Sequence, residues 1–317
     1  MHRNHDADIP DRTKSAGARR NAILALLAAL IVLAGVAAGW RVAAHRSSTT
    51  TATTSSVVPA APATGNIPTV TRAETGTSPT AKDLTSSFTD LTTKMRGRFG
   101  VAIVPVGGGQ PMTAGDLVTG AAWSTSKVPL AIAALTEQGH VTETMKKAIT
   151  ESDNAAAEQI WKSLGNPDQA AAKVQKILAS NGDPNTTVES KRIQSGYTAF
   201  GQTQWQLANQ ARFMAAAKCN APNQPVLDLM GQIEPGQSWG LGNIDTAEFK
   251  GGWGPSPSGA YLVRQMGLFR SANGKLVAVA IAAEPKSGAL DDGENDLTTI
   301  AYWLKDNLAN LPAGTCH

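Results

Sequence analysis

Residues 81–317 are predicted to fold as an α/β (α+β) domain, an antiparallel sheet flanked by terminal helices with an inserted all-helical subdomain. Three observations lead there. Apolar, β-prone runs lie near both ends of this stretch, helical periodicity fills its middle, and an amphipathic helix stands at each terminus. The α/β part comprises residues 81–122 and 246–317, and the helical part 123–245.

Taken in order, Leu84, Phe88, Leu91 and Met95 recur at helical spacing, which predicts a first helix from about Lys82 to Arg98. Phe99 to Val106 is an apolar run ended by Gly107-Gly108-Gly109, a strand followed by a turn. A helix is expected to begin after Ser124, and further helices near 142–151, 154–164, 167–180 and 203–218, separated by Gly- and Pro-rich joints. Ala260 to Phe269 and Lys275 to Ala283 flank Ser271-Ala272-Asn273-Gly274, a hairpin signal. Leu297 to Leu308 is the closing amphipathic helix.

Composition narrows the chemistry. The chain has 317 residues and a formal charge of +3, but residues 1–46 carry seven Lys/Arg against three Asp/Glu, while 81–317 carry twenty against twenty-one. The basic excess therefore belongs to the N-terminal tail, and a nucleic-acid partner, which needs a basic face on the domain, is not expected. Of five histidines, His2, His5 and His45 lie near the N-terminus and His317 is last, so only His140 is internal. With two distant cysteines besides, neither a metal site nor any other cofactor is expected, and hydrolytic chemistry here needs a base other than histidine. His140 follows Gly139 at a helix end and is expected to be exposed and without a role.

The N-terminal region divides into a cytoplasmic tail (1–20), a transmembrane signal anchor (21–44) and a Ser/Thr/Pro/Ala linker (45–80). Asn21 to Trp40 is uncharged and long enough to cross a bilayer as a helix. Arg3, Arg12, Lys14, Arg19 and Arg20 precede it, which places the N-terminus inside and the domain outside the cytoplasm. A cleaved signal peptide is the competing reading, because Val42-Ala43-Ala44 offers small residues. Residues 47–80 hold sixteen Ser/Thr and four Pro and no aromatic residue, the composition of a disordered spacer.

Three short motifs carry the chemistry. Ser124-Thr125-Ser126-Lys127 stands where a helix begins, so the Lys127 amine comes within reach of the Ser124 hydroxyl. A serine becomes a nucleophile when a base takes its proton, and a lysine serves if burial and a second cation lower its pKa. By itself the motif also fits an N-cap serine with an unrelated surface lysine. Ser152-Asp153-Asn154 lies between two helices, where a hydroxyl can relay a proton and an amide can orient a lysine or substrate; alone it fits a capping turn. Lys250-Gly251-Gly252, followed by Trp253-Gly254, fits an edge strand whose glycines let a substrate backbone approach while the lysine adds positive charge.

In this order, the three motifs resemble those of the penicillin-recognising serine hydrolases, and most of all class A β-lactamases. Ala148 to Ala156 and Gly165-Asn166-Pro167 are similar to segments of that family too, as are the positions of the late hairpin and closing helix. The resemblance implies a β-lactamase/transpeptidase-like fold. It makes Ser124 the acylated nucleophile, Lys127 its base partner, Ser152 a proton relay, Asn154 a ligand of substrate or lysine, and Lys250 an electrostatic anchor. Gly251, Gly252 and Trp253 would line the substrate, with the Ser124 and Trp253 N–H groups as the oxyanion hole. The implied partner is a β-lactam or a peptidoglycan-peptide-like amide.

The sequence departs from the family at three points. Glycine replaces the usual Thr or Ser after Lys250, the stretch between Lys127 and Ser152 is short, and the loop bearing the deacylating glutamate is hard to find. Glu189, in Val188-Glu189-Ser190-Lys191-Arg192, is either that base or a solvated loop carboxylate. Slow deacylation is the expectation. A D,D-peptidase-like enzyme and an inactive binder of envelope peptides are the alternative functions. Outside the cytoplasm Cys219 and Cys316 are expected to form a disulfide, the alternative being two buried thiols.

Overall fold

The computed structural model describes residues 81–317; the predicted cytoplasmic tail, transmembrane helix and linker lie outside the described residues. Helix α1 (Ala81–Thr92) leads into β1 (Gly97–Pro105), β2 (Met112–Gly115) and β3 (Thr119–Ala121). A 3₁₀ turn (Trp123–Ser126) then opens the helical part: α2 (Lys127–Gln138), α3 (Glu143–Thr150), α4 (Asn154–Ser163) and α5 (Pro167–Ser180). After an irregular stretch come β4 (Gln204–Gln206), α6 (Leu207–Lys218) and α7 (Gln224–Leu229). The chain returns through β5 (Glu248–Pro255), β6 (Tyr261–Arg270) and β7 (Leu276–Pro285) and closes with α8 (Leu290–Asp306). Among the described residues no helix is long and apolar enough to cross a membrane.

The main sheet is antiparallel in the order β2-β1-β7-β6-β5, so the first long strand pairs with the last and β5 forms an edge. Strand periodicity sorts the side chains onto two faces. Val101, Ile103, Val277, Val279 and Ile281 join Phe88 of α1 and Leu297, Ile300 and Leu304 of α8 in one apolar cluster. Ala102, Val104, Ala278, Ala280 and Ala282 face the other way, where Ala211, Met214 and Ala215 of α6 pack. The small alanines of β7 let α6 lie close against the sheet. Cys219, which caps the C-terminal end of α6, is bonded to Cys316 as expected, with a Cα–Cα distance of 5.2 Å.

Some predicted boundaries change. The first helix stops at Thr92 rather than Arg98, because Gly97 and Arg98 pair with Pro285 and Glu284. At Gly97 φ is +152° and a Cβ would lie 2.4 Å from the Glu284 carbonyl oxygen, so this entry into the sheet requires glycine. The expected helix at 203–218 starts only at Leu207, since Gln204–Gln206 pairs with β3. The closing helix begins at Leu290, seven residues before Leu297, and ends at Asp306. Asp291 and Asp292 suit its positive N-terminal end, and Gly293, which interrupts the apolar period, lets the helix approach Val263. The late strands and their hairpin fall within a residue or two of expectation.

Candidate active site

The edge strand β5 and the helical part meet at the 3₁₀ turn. Residues three apart eclipse in such a turn, which puts Ser124 and Lys127 on one face. Trp123 has φ +49° and Ser152 φ +56°, left-handed conformations that cost a non-glycine residue about 1–3 kcal/mol each and collect at functional sites. They belong to the two segments carrying the predicted serines. Asp153, not Ser152, caps α4, accepting the Ala156 N–H at 2.8 Å, which leaves the Ser152 hydroxyl for other partners.

Those partners are two buried lysines. Lys127 Nζ donates to the Ser152 carbonyl oxygen, to Asn154 Oδ1 at 2.8 Å and to Ser152 Oγ at 3.3 Å. Lys250 Nζ donates to Ser152 Oγ and to the Gly251 carbonyl, both at 2.9 Å. One hydroxyl thus bridges two amines, and none of Lys127's acceptors is Ser124. Burial pulls the Lys127 amine from 10.5 down to about 7, against the Asp153 carboxylate, which pulls the other way. Lys250 is held well below its ordinary value by burial first and by the Lys127 charge second, with Glu234 opposing. A neutral Lys127 donating to the Ser152 carbonyl and Asn154 keeps a lone pair for a hydroxyl proton.

The glycines after Lys250 are filled by the protein itself rather than left open. A Cβ on Gly252 would lie 2.7 Å from the Ser124 nitrogen and 2.8 Å from the Thr125 nitrogen, and one on Gly251 would lie 3.1 Å from the Trp239 ring. The close approach that Gly252 permits is therefore that of β5 to the serine turn. Trp253, one residue on, packs edge-on to Trp239 at 5.9 Å between ring centroids.

Ser124, Ser152, Asn154 and Trp253 line a cleft of about 440 Å³, with Lys127 and Lys250 buried beneath it. A larger groove of about 1020 Å³ adjoins it and shares Trp123, Gly254, Pro255 and Tyr261 with it. Glu189 does not line the cleft. Its carboxylate accepts the Lys191 N–H at 2.7 Å, and its own N–H donates to Thr203 Oγ1 at 3.0 Å, so it serves its own loop. The carboxylates lining the cleft are Glu151 and Glu158, the latter paired with Arg192 at 2.8 Å. Sequence reasoning missed Glu158, although it follows Asn154 by four residues and so shares its helix face. Tyr197, stacked edge-on against Trp123 at 5.2 Å, comes from a stretch without periodicity that offered no signal. His140 is exposed, and its Nδ1 lies 2.9 Å from the Gln138 carbonyl oxygen. Among the described residues no group of three or more His, Cys, Asp or Glu side chains is placed to hold a metal ion.

No protein-family model and no curated protein matches the sequence. Solved structures do match the fold. The TLA-3 extended-spectrum β-lactamase superimposes with a TM-score of 0.62 at 15% identity, over 73% of this chain and 100% of its own. A class A β-lactamase of Bacteroides cellulosilyticus gives 0.61 at 16% identity over 73% of this chain and 99% of its own. A β-lactamase of Chitinophaga pinensis gives 0.58 at 16% over 71% and 100%. The match runs along essentially the full length of these enzymes, and residues 81–317 have the fold of the class A β-lactamases.

Proposed function

We propose that this protein is a membrane-anchored, extracytoplasmic serine hydrolase of the penicillin-recognising type, acylated on Ser124 by β-lactams or cell-wall-like amides. The observation that carries the reading is the buried Lys127–Ser152–Lys250 bridge beside Ser124. Burying two amines costs several kcal/mol, and a module that only binds peptides has no use for them. The membrane anchor and the extracytoplasmic location rest on residues 1–44 of the sequence alone.

The neutral Lys127 amine takes the Ser124 proton as Oγ attacks the amide carbonyl. The Ser124 and Trp253 N–H groups stabilise the oxyanion. As the C–N bond breaks, Ser152 gives its proton to the leaving nitrogen and is reprotonated from the adjoining lysines, leaving an ester on Ser124. Hydrolysis of that ester needs a carboxylate-held water, and Glu189 is turned to its own loop, so a long-lived acyl-enzyme is expected. The adjoining groove favours an extended, peptide-like amide, which keeps a D,D-peptidase-like activity as the second reading.

Incubation of the full-length chain with a fluorescent penicillin tests this directly. One adduct on Ser124, absent in Ser124→Ala and Lys127→Ala, is expected. Folded protein that takes no label would reject the reading in favour of a non-catalytic envelope-binding protein, and an adduct elsewhere would reject Ser124 as the nucleophile.

A further inference from the structure

Arg264, in the middle of β6 and directly across from Gly252 of β5, is fully buried. Its Nη1 donates to the carbonyls of Gly120 at 2.9 Å and Ala121 at 3.1 Å, and its Nη2 to the Trp205 carbonyl at 3.0 Å and Gln210 Oε1 at 2.7 Å. Among the described residues Nε has no partner, and no carboxylate is among the acceptors. Burial alone pulls this guanidinium down to about 9. A buried cation without a counter-ion is costly, and an apolar side chain would fill the same place at lower cost. What the guanidinium does is fix geometry, since its planar fork holds four acceptors at set angles.

Those acceptors surround the serine turn. Gln210 passes the contact on, its Nε2 donating to Thr125 Oγ1 at 2.8 Å, and Thr125 Oγ1 bonds in turn to the Ala122 carbonyl. The chain is thus held at Ala121 on one side and at Thr125 on the other, with the left-handed Trp123 and Ser124 between. A strained residue persists only where its surroundings over-determine it, and these two anchors do so. We propose that Arg264 is the positioning residue of the serine turn, acting through Gln210 and Thr125 to keep Trp123 strained and Ser124 turned to the cleft. It does not line the cleft itself. The kinetic part of this proposal rests on the acyl-enzyme reading; the structural part does not.

The test uses the full-length chain with three variants. Gln210→Glu keeps an acceptor for Arg264 and removes the donor to Thr125, Arg264→Met removes the fork, and Arg264→Lys restores a charge with fewer donors. Backbone amide exchange at residues 123–127 is expected to quicken at least tenfold in Gln210→Glu and Arg264→Met, with α8 unchanged. Acylation at saturating penicillin is expected to slow at least tenfold, while non-covalent affinity, measured in a Ser124→Ala background, stays the same. Arg264→Lys should recover part of both losses. Gln210→Glu with wild-type exchange at 123–127 overturns the proposal even if Arg264→Met fails to fold. If the wild type takes no label, the acyl-enzyme reading falls, and the exchange measurement alone decides the role of Arg264.

Discussion

The depressed pKa of Lys127 yields a pH profile that can be worked out in advance. An amine at about 7 is roughly three-quarters neutral at pH 7.5 and roughly 3% neutral at pH 5.5, whereas one at 10.5 would be about 0.1% neutral at the higher pH. If neutral Lys127 takes the Ser124 proton, acylation should fall about 25-fold between pH 7.5 and 5.5. Asp153→Asn provides the control, because asparagine caps a helix as well as aspartate does while losing the charge that raises Lys127. In that variant the acid limb should move to lower pH. The sign of the stability effect follows from the same shift. Between pH 10.5 and 7 the Lys127 side chain of the unfolded chain gains a proton that the folded chain refuses, so its contribution to stability falls as pH falls through that window and levels off below about 7. The cost at neutral pH is on the order of 4 kcal/mol, so Lys127→Met should melt higher than wild type while losing acylation. The assay is the second-order rate of labelling by a fluorescent penicillin across pH 5–9, with thermal melts alongside. A flat profile, or an acid limb unmoved in Asp153→Asn, would refute the assignment of Lys127 as the base.

Three further outcomes follow from particular contacts. Gly252→Ala places a methyl group against two backbone nitrogens of the serine turn and should cost about 1–3 kcal/mol of stability and most of the acylation; a variant labelled at the wild-type rate would show that the turn yields freely. Reducing the Cys219–Cys316 bond, which spans 97 residues, should destabilise the fold by about 4–5 kcal/mol in the chain-entropy picture, and an unchanged melting temperature after reduction would contradict that. Penicillin turnover should be slow, and Glu189→Gln should leave the acyl-enzyme lifetime as it is, because that carboxylate is bonded within its own loop; a lifetime lengthened tenfold, followed by intact mass, would return Glu189 to the deacylation step.

What the sequence determined about this protein is what repeats at short range. Apolar spacing located α1, α4, α5, β6 and β7, and the three motifs picked out Ser124, Lys127, Ser152, Asn154 and Lys250, because helical and strand periods and i,i+3 neighbours are local properties of a chain. Paired cysteines and an expected oxidising compartment sufficed for the disulfide. The tertiary structure decided everything that depends on approach between distant segments. Gln204–Gln206 became a strand only because β3 lies beside it, and Gly252 had to be glycine because the serine turn lies against it rather than because a substrate does. Ser152 bridges two lysines from segments 25 and 98 residues away, and the burial that lowers both amines has no local signature. Nor does the sequence distinguish Glu189, tied to its own loop, from Glu158 in the cleft, or reveal that Arg264 spends its charge on carbonyls around the serine turn. Periodicity specifies which face a residue occupies; what that face meets is set by the packing of the whole chain.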